Sequence, residues 1–264
     1  MLRQKDNLLL QEMIDLLLAE RGEPPQVPQF IEEKDCLAYW RALVNQRSAG
    51  EASSQYLELE AAFLQAYQRE RQTSLSHCRP TKYQQILLYD GDLCHLQVDA
   101  VVNAANSRLL GCFIPNHACL DNALHTFAGL ALRSACARLM AETGRPEPVG
   151  RVRVTPGFHL PASYVFHTVG PVIPKGQPVS LIRQQLLGQC YLACLDQALA
   201  RGLSSIAFPA LSTGEFGYPK DQAARVALTV VTDWLSQHDH PLIVVFSVFT
   251  EEDRLLYDSL LLDS

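Results

Sequence analysis

Ala100-Val101-Val102-Asn103-Ala104-Ala105-Asn106 is the stretch on which the reading of this chain turns. A short run of small and branched apolar residues predicts a buried strand, and the run becomes polar at once, ending on two asparagines. Working outward, the same grammar recurs after Pro80 at 84–89, 151–154, 164–169, 205–209 and 242–248, beside the strand 100–103 itself. Segments 120–143, 180–201 and 221–237 lie between these runs and carry helical periodicity. Strands that alternate with helices in this way need a sheet covered on both faces, so the class is α/β with three layers. No internal repeat or low-complexity tract interrupts it.

The first 75 residues read differently. Three apolar faces of helical spacing occur there: Leu10, Met13, Ile14, Leu17 and Leu18; Leu37, Trp40, Leu43 and Val44; and Tyr56, Leu59, Phe63 and Tyr67. Gly22 with Pro24, Pro25 and Pro28 stops the first helix, Asp35 is placed to cap the second, and 48–54 is a polar break before the third. The chain therefore divides into a helical N-terminal extension, 1–75, and an α/β domain, 76–264. No catalytic constellation is visible in the extension.

Composition excludes several classes. With 22 basic against 28 acidic residues and a formal net charge of −6, and no run of Lys and Arg, nothing draws the chain to a phosphate backbone. Nucleic acid is not an expected partner. The charged stretch 1–7, and Gln11, Glu12 and Asp15 behind it, leave neither a signal-peptide core nor a membrane span. The expectation is a soluble cytoplasmic protein, in whose reducing surroundings eight cysteines read as thiols, buried side chains or metal ligands.

In sheets of this class ligands gather beyond the C-terminal ends of the strands. Tyr89-Asp90-Gly91-Asp92-Leu93 follows the first strand, Asn103 to Asn106 closes the second, and Pro209-Ala210-Leu211-Ser212-Thr213-Gly214-Glu215-Phe216-Gly217-Tyr218-Pro219 joins the fifth to a helix. The last has small residues and two glycines ahead of a helix N-terminus, where backbone N–H groups can approach an anion. Any one of them alone reads as an ordinary turn. In this order and spacing, the three together resemble the macrodomain family, over roughly residues 86–261.

That resemblance implies a three-layer α/β/α macrodomain with a mixed central sheet and ADP-ribose held along the C-terminal edge of its strands. By position it places Asp92, with Leu93 beside it, at the adenine, where an acceptor-only carboxylate suits the amino group. Ser212, Thr213, Gly214, Glu215, Phe216 and Gly217 wrap the diphosphate and approach the distal ribose, which Asn106 hydrogen-bonds. Phe249, just past the last strand, either stacks on the adenine or is a core aromatic.

One segment departs from the common pattern. Where most macrodomains carry a run of glycines, this chain reads Gly111-Cys112-Phe113-Ile114-Pro115-Asn116-His117-Ala118-Cys119, and the family pattern resumes at Ala128-Gly129. Two thiols and an imidazole within eight residues, with Pro115 to turn the chain, can converge on one ion, and this donor set selects zinc over magnesium or calcium. Cys136, Cys190 and Cys194 read instead as small buried hydrophobes on helices. His125 is expected on a helix facing elsewhere, which leaves three ligands and an open position, the pattern of catalytic zinc.

The loop resembles that of zinc-containing macrodomains, which remove ADP-ribose from modified proteins and are associated with sirtuin-type ADP-ribosyltransferases. The resemblance implies a zinc-dependent mono-ADP-ribosyl hydrolase whose metal, Zn2+ on Cys112, His117 and Cys119, polarises an oxygen at the scissile bond or activates a water. Asn106 and Asp121 are the expected catalytic residues, Asp121 orienting or deprotonating the water. Asp121 can equally cap the following helix. A non-catalytic ADP-ribose reader and an O-acetyl-ADP-ribose deacetylase are the alternatives. A zinc deaminase ranks below these, because its His-x-Glu with Cys-x-x-Cys arrangement is absent.

Overall fold

The strand that opens at Ala100 lies inside a seven-stranded mixed sheet in the computed structural model, which describes residues 4–24 and 33–262. Pro25 and Pro28, read above as helix stops, fall outside the described residues. The strands are β1 (Arg79–Pro80), β2 (Ile86–Asp90), β3 (Ala100–Ala104), β4 (Val152–Pro156), β5 (Tyr164–Thr168), β6 (Ser205–Phe208) and β7 (Ile243–Val248), in the order β1-β2-β7-β6-β3-β5-β4. The inner five run parallel, while β1 and β4 pair antiparallel at the edges. Parallel strands end on the same side, so the loops after β2, β7, β6 and β3 line one edge of the sheet.

Alternation along β3 shows how the layers divide. Ala100 and Val102 pack into the core shared with α6 (Leu181–Ala200), α7 (Lys220–Gln237) and α8 (Glu251–Leu261). Val101 faces the opposite core, under α4 (Leu120–Phe127) and α5 (Leu130–Thr143). That second core continues without a break into the N-terminal helices α1 (Gln4–Glu20), α2 (Glu33–Gln46) and α3 (Ser54–Arg71), through Leu10, Met13, Trp40, Phe63 and Tyr67. Tyr67 stacks on Phe127 of α4 with centroids 5.0 Å apart. The N-terminal unit is therefore part of the layer that covers the sheet beside β3. No helix among the described residues is long and apolar enough to cross a membrane.

Several boundaries differ from the sequence reading. The single helix expected over 120–143 is two, broken at Ala128-Gly129. Gly129 adopts φ +87, and a Cβ there would meet Glu60 Oε2 at 2.7 Å. Glu60 of α3 occupies that space because its carboxylate accepts the Leu130 N–H, at 3.2 and 3.1 Å from its two oxygens. A side chain from the extension thus satisfies an orphan donor of α5, and burial raises the Glu60 carboxyl from 4.5 to about 7. Asp35 lies inside α2 and is not its cap. β1 and α8 were not read from the sequence, although Thr250 and Asp253 form a capping pair ahead of Tyr257 and Leu261.

Candidate active site

The strand order fixes the order of the loops, so Asp92 after β2, Phe249 after β7, the Ser212 loop after β6 and Asn106 after β3 stand in sequence along one edge. Asp92 caps a short 3₁₀ turn, its Oδ1 accepting the Cys94 N–H at 2.8 Å, with Leu93 buried beneath. Phe249 is 77 % exposed, which removes the core-aromatic alternative and leaves its ring open at the same end as Asp92.

The loop after β6 is bent for approach rather than for packing. Ser212 adopts φ +66, unusual for a residue with a side chain, and its buried hydroxyl has no partner. The turn is closed by Gly217 N–H on Gly214 O at 2.9 Å and Tyr218 N–H on Ser212 O at 3.0 Å. Gly214, Glu215 and Gly217 are exposed, while Thr213 and Phe216 are half-buried. The Ser212 hydroxyl is packed against Gly170, where an added Cβ would collide with it.

At the end of β3 the two asparagines of the opening stretch converge on Asp121. Asn103 Nδ2 donates to Asp121 Oδ1 at 2.8 Å, and Asn106 Nδ2 donates to Oδ2 at 3.2 Å and to Gly111 O at 3.1 Å. Burial raises the Asp121 carboxyl to about 6, against the pull of these amides and of Arg133. The capping alternative for Asp121 does not hold: Cys119 occupies the N-cap of α4, its sulfur accepting the Asn122 N–H at 3.4 Å. Freed from capping, the Asp121 carboxylate faces the β3 end. Asn103 was read only as part of the ligand-edge segment 103–106, and its link to Asp121 was missed, because a polar residue inside a strand does not reveal its partner across 18 positions.

Cys112, His117 and Cys119 each bring one donor atom into a cluster whose members lie within 4.8 Å of one another. All three are half-buried, and the loop that carries them leaves Asn116 at φ +53, a conformation asparagine tolerates. Burial pushes the Cys119 thiol up to about 12, and His117 Nδ1 is buried without a partner. A cation reverses both penalties, stabilising the thiolates and occupying the free nitrogen, so the donor set fits zinc. His117 Nε2 also stands 3.7 Å from Glu215 Oε1, which joins the Cys112 to Cys119 loop to the Ser212 loop at the rim. His125 is not in this cluster: it is buried behind Gly111 and groups with Cys136 and His167. Arg41, Asn45 and Asn122, which contact the loop, were also missed, since two of them come from α2, more than 70 positions away.

A seven-stranded mixed sheet between helical layers, with its loops gathered on one edge, defines the macrodomain fold, and a macro domain family model matches residues 102–227. The chain belongs to the macrodomain family. It is 41% identical over 248 residues to a Staphylococcus aureus (strain MRSA252) protein named protein-ADP-ribose hydrolase, covering 94% of this chain and 93% of the relative. It is also 41% identical over 184 residues to a Fusarium oxysporum f. sp. cubense protein named probable bifunctional ADP-ribose hydrolase/ADP-ribosyltransferase, covering 67% of this chain and 31% of that protein. Among solved structures, the Trypanosoma brucei macrodomain in complex with ADP-ribose superposes with a TM-score of 0.64 at 31% identity, over 83% of this chain and 94% of that one.

Proposed function

We propose that the protein is a cytoplasmic hydrolase that removes mono-ADP-ribose from modified protein side chains, with zinc held by Cys112, His117 and Cys119. The observation that carries this reading is the placement of a sulfur–nitrogen–sulfur cluster beside the buried Asn103 and Asp121 and the half-buried Asn106, at the end of the loop series. A relative of near-equal length named protein-ADP-ribose hydrolase supports the reaction class, and the macrodomain complex supports the ligand.

In this reading Asp92 and Leu93 receive the adenine, Phe249 stacks on it, and Ser212, Thr213, Gly214, Glu215 and Phe216 surround the diphosphate and distal ribose. Asn106 exchanges part of its present hydrogen bonding for the distal ribose. Bound zinc would supply Lewis-acid polarisation of an oxygen at the bond between ribose and acceptor. Asp121, held at both oxygens by asparagine amides, orients the attacking water and takes its proton. The exposed rim around Ile114, Asn116 and Glu215 leaves room for the acceptor protein. A sirtuin-type ADP-ribosyltransferase is the matching source of substrate, consistent with a relative whose name joins the two activities.

Release of ADP-ribose from a defined mono-ADP-ribosylated protein tests this. Cys119→Ala is expected to lose zinc and turnover while retaining ADP-ribose affinity, because Asp92 and the Ser212 loop are separate from the metal ligands. Wild-type protein that binds ADP-ribose but releases none above a blank is a reader. Preferential turnover of O-acetyl-ADP-ribose makes it a deacetylase.

A further inference from the structure

The metal loop does little to hold its own shape. From Leu110 to Ala118 it closes one internal backbone hydrogen bond, His117 N–H on Ile114 O at 3.2 Å, and it belongs to no helix or strand. Its position comes from outside. Arg41 of α2 donates from Nε and Nη2 to Asn122 Oδ1 at 3.0 and 2.7 Å, and from Nη2 to the His117 carbonyl at 3.1 Å. Asn122 passes the grip on: its Nδ2 donates to Ile114 O at 2.9 Å and Cys112 O at 3.4 Å, and its backbone N–H donates to Cys119 Sγ. One guanidinium is therefore connected, directly or through the single residue Asn122, to all three candidate ligands.

A second hold comes from the next turn of the same helix. Asn45 Oδ1 accepts the Asn116 N–H at 3.0 Å, while its Nδ2 donates to Thr126 Oγ1 of α4 at 2.9 Å. The end of α2 is itself fixed to α5, because Arg133 Nη1 donates to the carbonyls of Val44 and Asn45, and also to that of Arg47. The Arg133 guanidinium lies 4.5 Å over the ring of Phe113, inside the metal loop. Helix, loop and sheet cover are thus tied through buried polar contacts.

We infer that the N-terminal helical unit is a positioning element for the metal site, with Arg41 as the residue that sets the spacing of Cys112, His117 and Cys119. This rests on the zinc reading above. Groups that orient metal ligands without touching the metal change affinity by about 10- to 100-fold when removed. An irregular loop depends on such outside contacts to hold its donors in place, and Arg41 is the one that reaches the His117 carbonyl directly and the two cysteines through Asn122.

The test is titration of zinc alone against a chromophoric chelator, with ADP-ribose binding measured in parallel. Arg41→Ala is expected to raise the zinc Kd about tenfold or more and to leave the ADP-ribose Kd unchanged within about twofold. Arg41→Lys keeps the charge but loses the forked contacts, so its zinc Kd rises in the same direction by less. That variant carries the comparison if the alanine protein does not fold. Glu20→Ala is the control, since it removes the 2.7 Å ion pair to Arg47 in the same unit without touching the loop, and its zinc Kd stays at the wild-type value. An unchanged zinc Kd in both Arg41 variants overturns the inference, as does an equal loss in Glu20→Ala, which would mean general loosening. Wild-type protein that takes up no zinc fails the underlying reading instead.

Discussion

Glu60 offers a quantitative test of how the N-terminal helices are joined to the sheet. Its carboxyl is 1 % exposed and sits against the start of α5, accepting the Leu130 N–H. Burial moves its pKa from 4.5 to about 7 in the fold. A raised carboxyl pKa means the folded state keeps a proton that the unfolded chain has already lost. Stability from this group is therefore complete below pH 4.5 and falls as pH rises towards 7. At about 1.4 kcal/mol per pH unit the loss amounts to about 3 kcal/mol. Glu60→Gln keeps an acceptor for Leu130 but cannot ionise. Urea unfolding of both proteins between pH 4.5 and 8 should show near-equal stability at the acid end. At the basic end the glutamine variant should lead by about 3 kcal/mol, or about 8 °C in Tm. Taking the difference between the two proteins cancels every other titrating group. A difference that stays flat across this range would refute the placement of Glu60 as a desolvated link between α3 and α5.

Three other outcomes are expected from the packing and the site geometry. Gly129→Ala places a Cβ at 2.7 Å from Glu60 Oε2 on a backbone with φ +87, and should destabilise the fold by more than about 1 kcal/mol in denaturant titration. Asp121→Asn should lower the rate of ADP-ribose release by about 10²- to 10⁴-fold, with ADP-ribose affinity by calorimetry nearly unchanged. Phe249→Ala removes an exposed ring at the proposed adenine end; stacking worth about 1–3 kcal/mol per base predicts an ADP-ribose Kd at least about fivefold weaker, with the rate at saturation preserved.

The parts of this molecule legible in sequence are the local ones. Strand β3 could be read because its apolar run and its polar end lie within seven residues, and Cys112, His117 and Cys119 because their side chains meet within one loop. The break between α4 and α5 was hidden, since a glycine inside a periodic helix is ambiguous and the group that favours the break, Glu60, belongs to a different helix. The part played by Arg41 and Asn45 was equally invisible. Four residues apart on α2, a helix read only for its apolar face, they meet the Cys112 to Cys119 loop only through the packing of α2 over α4. Helix α8 is a different case: its capping pair and apolar spacing were present in the sequence.

Zinc on the Cys112, His117 and Cys119 loop is proposed to be required for release of ADP-ribose from protein, and that requirement is open to direct measurement. It is tested most directly by titrating metal-free enzyme with zinc and following, on the same samples, bound metal and the initial rate of ADP-ribose release. The rate should rise in proportion to zinc bound and level off at one ion per chain, and Cys119→Ala should show neither. Full turnover by the metal-free protein, or by Cys119→Ala, would contradict it.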